Sequence, residues 1–256
     1  MRRAALLAAV TVGLAAAAAA GVSASPGKTV TLRPLVLKER CVTRAERRRV
    51  VRFKAVDGVR LIGVELGRGP RAVLLAHQGG APPNLCGWVP YARTLAAAGY
   101  RVLVFDHRKF GSSGRASHRR RADRVDFDVL GAIRTMRARG ARSIVLGGAS
   151  LGGAAVLAAA PHATPAVDGV ISFSSPRNYV NVSALAGVQA SNVPVLFLAE
   201  EDDDPFDDDA RALFEASTAR DKQLEIYPGA EHGFRLLQNP STRALVGAFL
   251  ASHSAR

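Results

Sequence analysis

The chain has 256 residues, 48% hydrophobic and 22% charged, with a formal net charge of +14. That balance fits a globular protein with a sizeable core and excludes a chain disordered throughout. The positive charge comes from scattered arginines, densest in "ERRRVVRF" and "SHRRRADR", with no aromatic platform among them; nucleic acid is therefore not an expected partner, and solubility or arginine-rich coding bias accounts for the charge, with electrostatic association with an anionic cell envelope as the alternative.

Arg2 and Arg3 precede an apolar stretch from Ala4 to Val22, and Val22-Ser23-Ala24 forms a small-x-small site. Residues 1–24 are expected to be a secretory signal peptide, which makes the protein secreted or extracytoplasmic. A membrane anchor is the rival reading, since the stretch is long enough to span, but the cleavage site argues for removal. The remainder, 27–256, is expected to be one domain. Cys41 and Cys86 are the two cysteines. An even pair in an oxidising compartment favours a disulfide, with two free buried thiols as the alternative. Neither has a His or Cys at ligand spacing, so no metal is expected.

In chain order, "VVRFKA" and "VRLIGVEL" flank Asp57-Gly58 and predict an antiparallel hairpin with a type I′ turn. "RAVLLAH" is a continuous apolar run that suits a strand buried on both faces. A helix from near Pro90 to Gly99, the strand "RVLVFDHR" and a helix over 126–139 follow, the last with Val129, Leu130, Ile133 and Met136 at helical spacing. Then come "SIVLGG", a small-residue helix from Leu151 to Ala160, the strand "VDGVISFS", a loop, the strand "VPVLFLAE", the helix "DDARALFEAS", the strand "QLEIYP" and the helix "TRALVGAFLAS". This alternation predicts an α/β class with a mostly parallel sheet and helices on both faces. Only about twenty residues separate "ISFS" from "VPVLFL", too few for a large lid domain.

Within this frame, Gly148-Ala149-Ser150-Leu151-Gly152 places a serine at a strand-to-helix turn and matches G-x-S-x-G. Small neighbours allow the turn to close, and the helix start points free N–H groups at a developing oxyanion. A packing turn is the plainer reading of the glycines. "GGASLGG" fits neither phosphate-binding loop pattern. A nucleophilic serine needs a base and a group to orient it. Of six histidines, His77 shapes a loop, His107 follows a strand, His118 lies in an arginine run, His162 follows a helix and His253 sits in the terminal helix. His232, in "YPGAEHGF", alone occupies a glycine-flanked loop after the last strand, where sites of open α/β sheets gather. Eight of the ten residues from Glu200 to Asp209 are acidic but lack the spacing of a calcium loop. Asp202, three residues past Ala199, is the expected triad acid, with Asp203 as the alternative.

The order Ser150, Asp202, His232 is that of the α/β-hydrolase triad. From about residue 47 to 254 the chain resembles single-domain α/β-hydrolases of the dienelactone hydrolase-like or esterase kind. "LLAHQGG" resembles the oxyanion loop H-G-x, "GYRVLVFDHRKFGSSG" the segment D-x-R-G-x-G-x-S, "GGASLGG" the elbow, "PVLFLAEEDD" the acid strand and "GAEHGF" the histidine loop. Gln78, Lys109 and Ala199 stand where the family has glycine. The resemblance implies a serine esterase without cofactor acting on a small-molecule ester, with Leu151 N–H and Gly79 N–H as oxyanion donors and Gln78 N–H as an alternative second donor. It also supports Cys41 bonded to Cys86, through "NLCGWVPYA". Trp88, Phe110 and the 174–192 loop with Tyr179 are candidates for pocket walls or for core. A non-catalytic envelope-binding protein of the same fold and a cofactor-free haloperoxidase or perhydrolase are the competing functions; oligomeric state is not legible.

Overall fold

The computed structural model describes residues 33–254; the expected signal peptide, residues 1–24, lies outside them. After a short helix α1 (Arg44–Arg47), capped by the Thr43 side chain, β1 (Val50–Lys54) and β2 (Arg60–Leu66) form the expected antiparallel pair, Val50 opposite Val64 and Lys54 opposite Arg60. Their connection is not a type I′ turn. That turn needs positive φ at both central residues, and only Gly58 has it, at 89°. The loop runs instead from Ala55 to Val59, closed by Ala55 N–H on the Val59 carbonyl at 2.9 Å. The longer loop lets Asp57 accept two hydrogen bonds from the Arg108 guanidinium, each 2.9 Å.

Then follow β3 (Arg71–Ala76), α2 (Val89–Ala97), β4 (Arg101–Asp106), α3 (Val125–Ala138), β5 (Ser143–Ala149), α4 (Leu151–Ala159) and β6 (Gly169–Phe173). The stretch expected to be a loop carries a two-residue ribbon, β7 (Asn178–Tyr179) with β8 (Val182–Ser183), and helix α5 (Ala184–Gln189), capped by Ser183. β9 (Val195–Glu200), α6 (Phe206–Ala216), β10 (Lys222–Tyr227) and α7 (Pro240–His253) complete the described chain. Helices stop where the sequence supplies a left-handed glycine: Gly99 (φ 86°) beyond α2 and Gly140 (φ 89°) beyond α3.

The eight strands of the main sheet lie in the order β1-β2-β4-β3-β5-β6-β9-β10. β1 and β2 are antiparallel, and every neighbouring pair from β4 to β10 is parallel. Alternation along each strand divides the core into two layers. Leu74, Phe105, Leu146 and Phe197 pack with Val129, Ile133 and Met136 of α3 and with α4 on one face. Val73, Val104, Val145 and Leu198 pack with Val89 and Leu95 of α2 and Val246 and Leu250 of α7 on the other. Leu37 and Val42, ahead of β1, join this second layer. Their segment is tied down by the Cys41–Cys86 disulfide, which spans a separation of 45 residues.

Arg108, fully buried, fastens the end of β4 to its surroundings. Its Nε donates to Asp128 at 2.8 Å and its two Nη groups to Asp57, so the guanidinium is paired on both sides. A buried charge is tolerated only when paired in this way.

Candidate active site

β5 is buried along its whole length and so is α4; Ser150, between them, is the part-exposed residue. Its backbone stands at φ 49° and ψ −118°, a region that L residues avoid. The turn is held from both sides: Ser150 N–H donates to the Phe173 carbonyl at 2.8 Å, and the Ser150 carbonyl accepts from Ala154 N–H at 3.0 Å. The small neighbours are required by close approach. A Cβ at Gly148 would strike the Gly152 carbonyl, and one at Gly152 would strike the carbonyls of Ala76 and His77.

Four loops meet at the carboxyl ends of the neighbouring strands β5, β6, β9 and β10. Beyond β9 the chain turns, with Asp203 N–H donating to the Glu200 carbonyl at 3.1 Å. That turn buries the Asp203 side chain. His232 Nδ1 lies 3.0 Å from each Asp203 carboxylate oxygen, and its ring rests on Phe206 with centroids 4.3 Å apart. Asp202, the acid expected from the sequence, is not the partner. It is exposed, and its backbone N–H donates to the Gly229 carbonyl at 2.8 Å. Glu200, the last residue of β9, turns its carboxylate toward the histidine loop and accepts from Glu231 N–H at 2.6 Å.

The histidine loop is drawn against the serine elbow. A Cβ on Gly233 would stand 3.3 Å from that of Ala149, so the residues adjoining His232 and Ser150 are in contact. Gly233 N–H donates to Ser174 Oγ at 3.0 Å, and Phe234 N–H to Gln78 Oε1 at 3.3 Å. Ser174 and the Gln78 side chain are positioning groups the sequence did not reveal. For Gln78 the sequence showed only that an amide side chain stands where the family has glycine; its burial, which demands a partner, is a property of the fold.

The loop after β3 has a defined orientation. His77 is fully buried, and burial, then the neighbouring His107, push its imidazole down to about 3, so it stays neutral near pH 7. Its Nε2 accepts from His107 N–H at 3.0 Å, which leaves Nδ1 to donate to the Gln78 carbonyl at 2.7 Å. In a trans peptide the N–H points opposite to the C=O, so this bond turns Gly79 N–H away from His77. A Cβ on Gly79 would lie 3.6 Å from Leu151 Cδ1. Gly79 therefore stands beside Leu151, whose N–H opens α4 and has no acceptor within the helix.

Trp88 belongs to the core: fully buried, it donates from Nε1 to the Ala76 carbonyl at 2.9 Å and packs on Phe173 and Phe234. Phe110 packs edge-on against His77, with centroids 5.4 Å apart, and Tyr179 is partly buried beside the α3–α4 layer. Lys109 adopts φ 64°, the conformation that explains glycine there in the family, and pairs with Asp123.

The family model described as the alpha/beta hydrolase fold matches residues 71–190. An esterase of Pyrococcus furiosus is similar with a TM-score of 0.66 at 18% identity, covering 80% of this chain and 91% of that one. The esterase domain of a Rhodothermus marinus protein gives 0.60 at 24% identity, over 79% and 95% of the two chains. An esterase of Exiguobacterium antarcticum gives 0.65 at 17% identity, over 78% and 99%. No curated protein matches the sequence. At these identities the likeness is one of fold.

Proposed function

The chain is an α/β-hydrolase-fold protein, and on that premise we propose that it is a serine hydrolase, exported, that cleaves small carboxylic esters through an acyl-enzyme. The observation that carries this reading is the His232 Nδ1 contact with both oxygens of buried Asp203, in a loop packed against the Ser150 elbow. An ionised Asp203 keeps the proton on Nδ1 and leaves Nε2 free to act as base. Ser150 Oγ attacks the ester carbonyl carbon as His232 takes its proton. The oxyanion is held by Leu151 N–H and Gly79 N–H, each such donor being worth about 10²–10³ in rate. The intermediate collapses by breaking the C–O bond to the leaving group, and His232 returns the proton to that alcohol. Water then attacks the acyl carbon as His232 takes its proton; the bond from that carbon to Ser150 Oγ breaks, His232 gives the proton to Oγ, and the carboxylic acid leaves.

Export is supported by the leader-like sequence of residues 1–24 and by the Cys41–Cys86 disulfide, a bond that persists in oxidising compartments. An ester substrate is supported by the absence of any inserted lid domain between β6 and β9, which leaves the serine accessible to small substrates. Nitrophenyl esters of increasing acyl length test the proposal. Hydrolysis by the purified protein, reduced by at least about 10³-fold in Ser150→Ala, is the expected result. Turnover that survives that substitution, or no turnover of any ester by the folded protein, contradicts it.

A further inference from the structure

At the edge of the sheet opposite the candidate catalytic residues, where β4 begins and β2 ends, lies a cleft of about 530 Å³. Arg48, Arg49, Arg68, Arg101 and Arg139 line it, and Glu65 is the carboxylate among them. Glu65 is buried and accepts from Arg49 Nη2 at 3.0 Å, Arg101 Nη2 at 2.9 Å and Arg139 Nε at 2.9 Å. Burial alone would raise this carboxyl, but hydrogen bonds from Arg101 and Arg139 hold it below the usual carboxylate range. One ionised carboxylate thus fixes three guanidinium groups in place while neutralising a single charge. The Arg48 and Arg68 side chains are exposed and have no hydrogen-bond or ion-pair partner among the described residues. Arg101 Nε is buried and likewise unpartnered among them.

Five like charges around one hollow repel, and the repulsion is relieved by an anion in the hollow. Guanidinium forks match the oxygen spacing of phosphate and carry their charge at any accessible pH. A volume of about 530 Å³ exceeds what one phosphate fills and admits several linked phosphate groups. We propose that this cleft is a binding site for a multiply charged, phosphate-bearing anion, separate from the ester-cleaving residues. It does not rest on the catalytic reading, since none of its residues touches Ser150, Asp203 or His232.

Calorimetric titration of the purified protein with tripolyphosphate, at about 0.15 M salt so that long-range attraction is screened, tests the site. Saturable one-site binding, weakened at least about tenfold in Arg48→Glu/Arg68→Glu and unchanged in Arg119→Glu/Arg120→Glu, is expected. The two double variants change charge equally, so equal weakening in both would show general attraction to a basic protein and overturn the proposal. Absence of saturable binding would overturn it as well. Ester hydrolysis should be the same in all three proteins. Co-sedimentation with phosphatidylglycerol vesicles identifies the source of the phosphate. Vesicle binding displaced by tripolyphosphate assigns the site to a lipid headgroup, and tripolyphosphate binding without vesicle binding assigns it to a soluble anion; either result supports the site.

Discussion

Asp203 is distinguished from its acidic neighbours by where its carboxylate goes. Asp202 and Asp204 are exposed, whereas Asp203 is buried against His232. If Asp203 orients His232 as proposed, Asp203→Asn should lower kcat by about 10²–10⁴-fold through loss of tautomer control, while Asp202→Asn should stay near wild type; steady-state ester hydrolysis by the two variants checks this. Equal effects would place the orienting acid elsewhere. Ser150 and His232 could be singled out as candidates because their surroundings are local: glycines at fixed offsets for one, a glycine-flanked loop after the final strand for the other. The acid was not fixed by sequence, because Asp202, Asp203 and Asp204 follow β9 in succession and only the turn that Asp203 N–H closes on the Glu200 carbonyl decides which of them is buried. Glu200 continues the strand and spends its side chain on Glu231 N–H, a contact between segments that no local pattern reports.

At the scale of elements, the segment ahead of β1 is held by covalent and buried polar links. A disulfide closing a loop of 45 residues restricts the unfolded chain; Cys41→Ser/Cys86→Ser should cost about 2–4 kcal/mol in denaturant unfolding, with ester hydrolysis retained wherever the variant remains folded. Beneath the same segment, Asp106 accepts from Leu85 N–H and Ser112 N–H at 2.8 Å each, and Glu39 accepts from Ser112 Oγ at 2.7 Å. Burial pushes the Asp106 carboxyl up to about 7; the two N–H donors oppose this and nearby Glu39 adds to it. Between the usual carboxylate value near 4 and about 7, the folded protein holds a proton that the unfolded chain has released. Stability from this group is therefore full below that window and falls as pH rises through it. Glu39→Gln should flatten that fall, as read from unfolding midpoints between pH 4 and 8; an unchanged profile would show that Asp106 does not feel Glu39. The regular strands and helices here were legible from periodicity. The hairpin turn was not, because Asp57 answers to Arg108 at the end of β4. Nor was α5, whose Ala184 and Val188 gain their core contacts only in the folded protein.

Across the whole molecule, alternating strands and helices announced a mostly parallel sheet, and the apolar runs announced strands covered on both faces. The order of the strands was not written locally, and the order is what gathers the loops after β5, β9 and β10 at one edge while leaving the arginine cleft at the other. The fold thus separates an acid-rich edge, holding Asp203 and the exposed carboxylates near it, from an arginine-rich one. At the acid-rich edge, Ser150 is proposed to be a nucleophile activated by His232. Labelling with a fluorophosphonate probe, followed by peptide mapping, tests it most directly. Stoichiometric modification at Ser150, abolished in Ser150→Ala and slowed at least about 10²-fold in His232→Ala, is the predicted result; a folded protein that does not label, or labels as fast without His232, would contradict it.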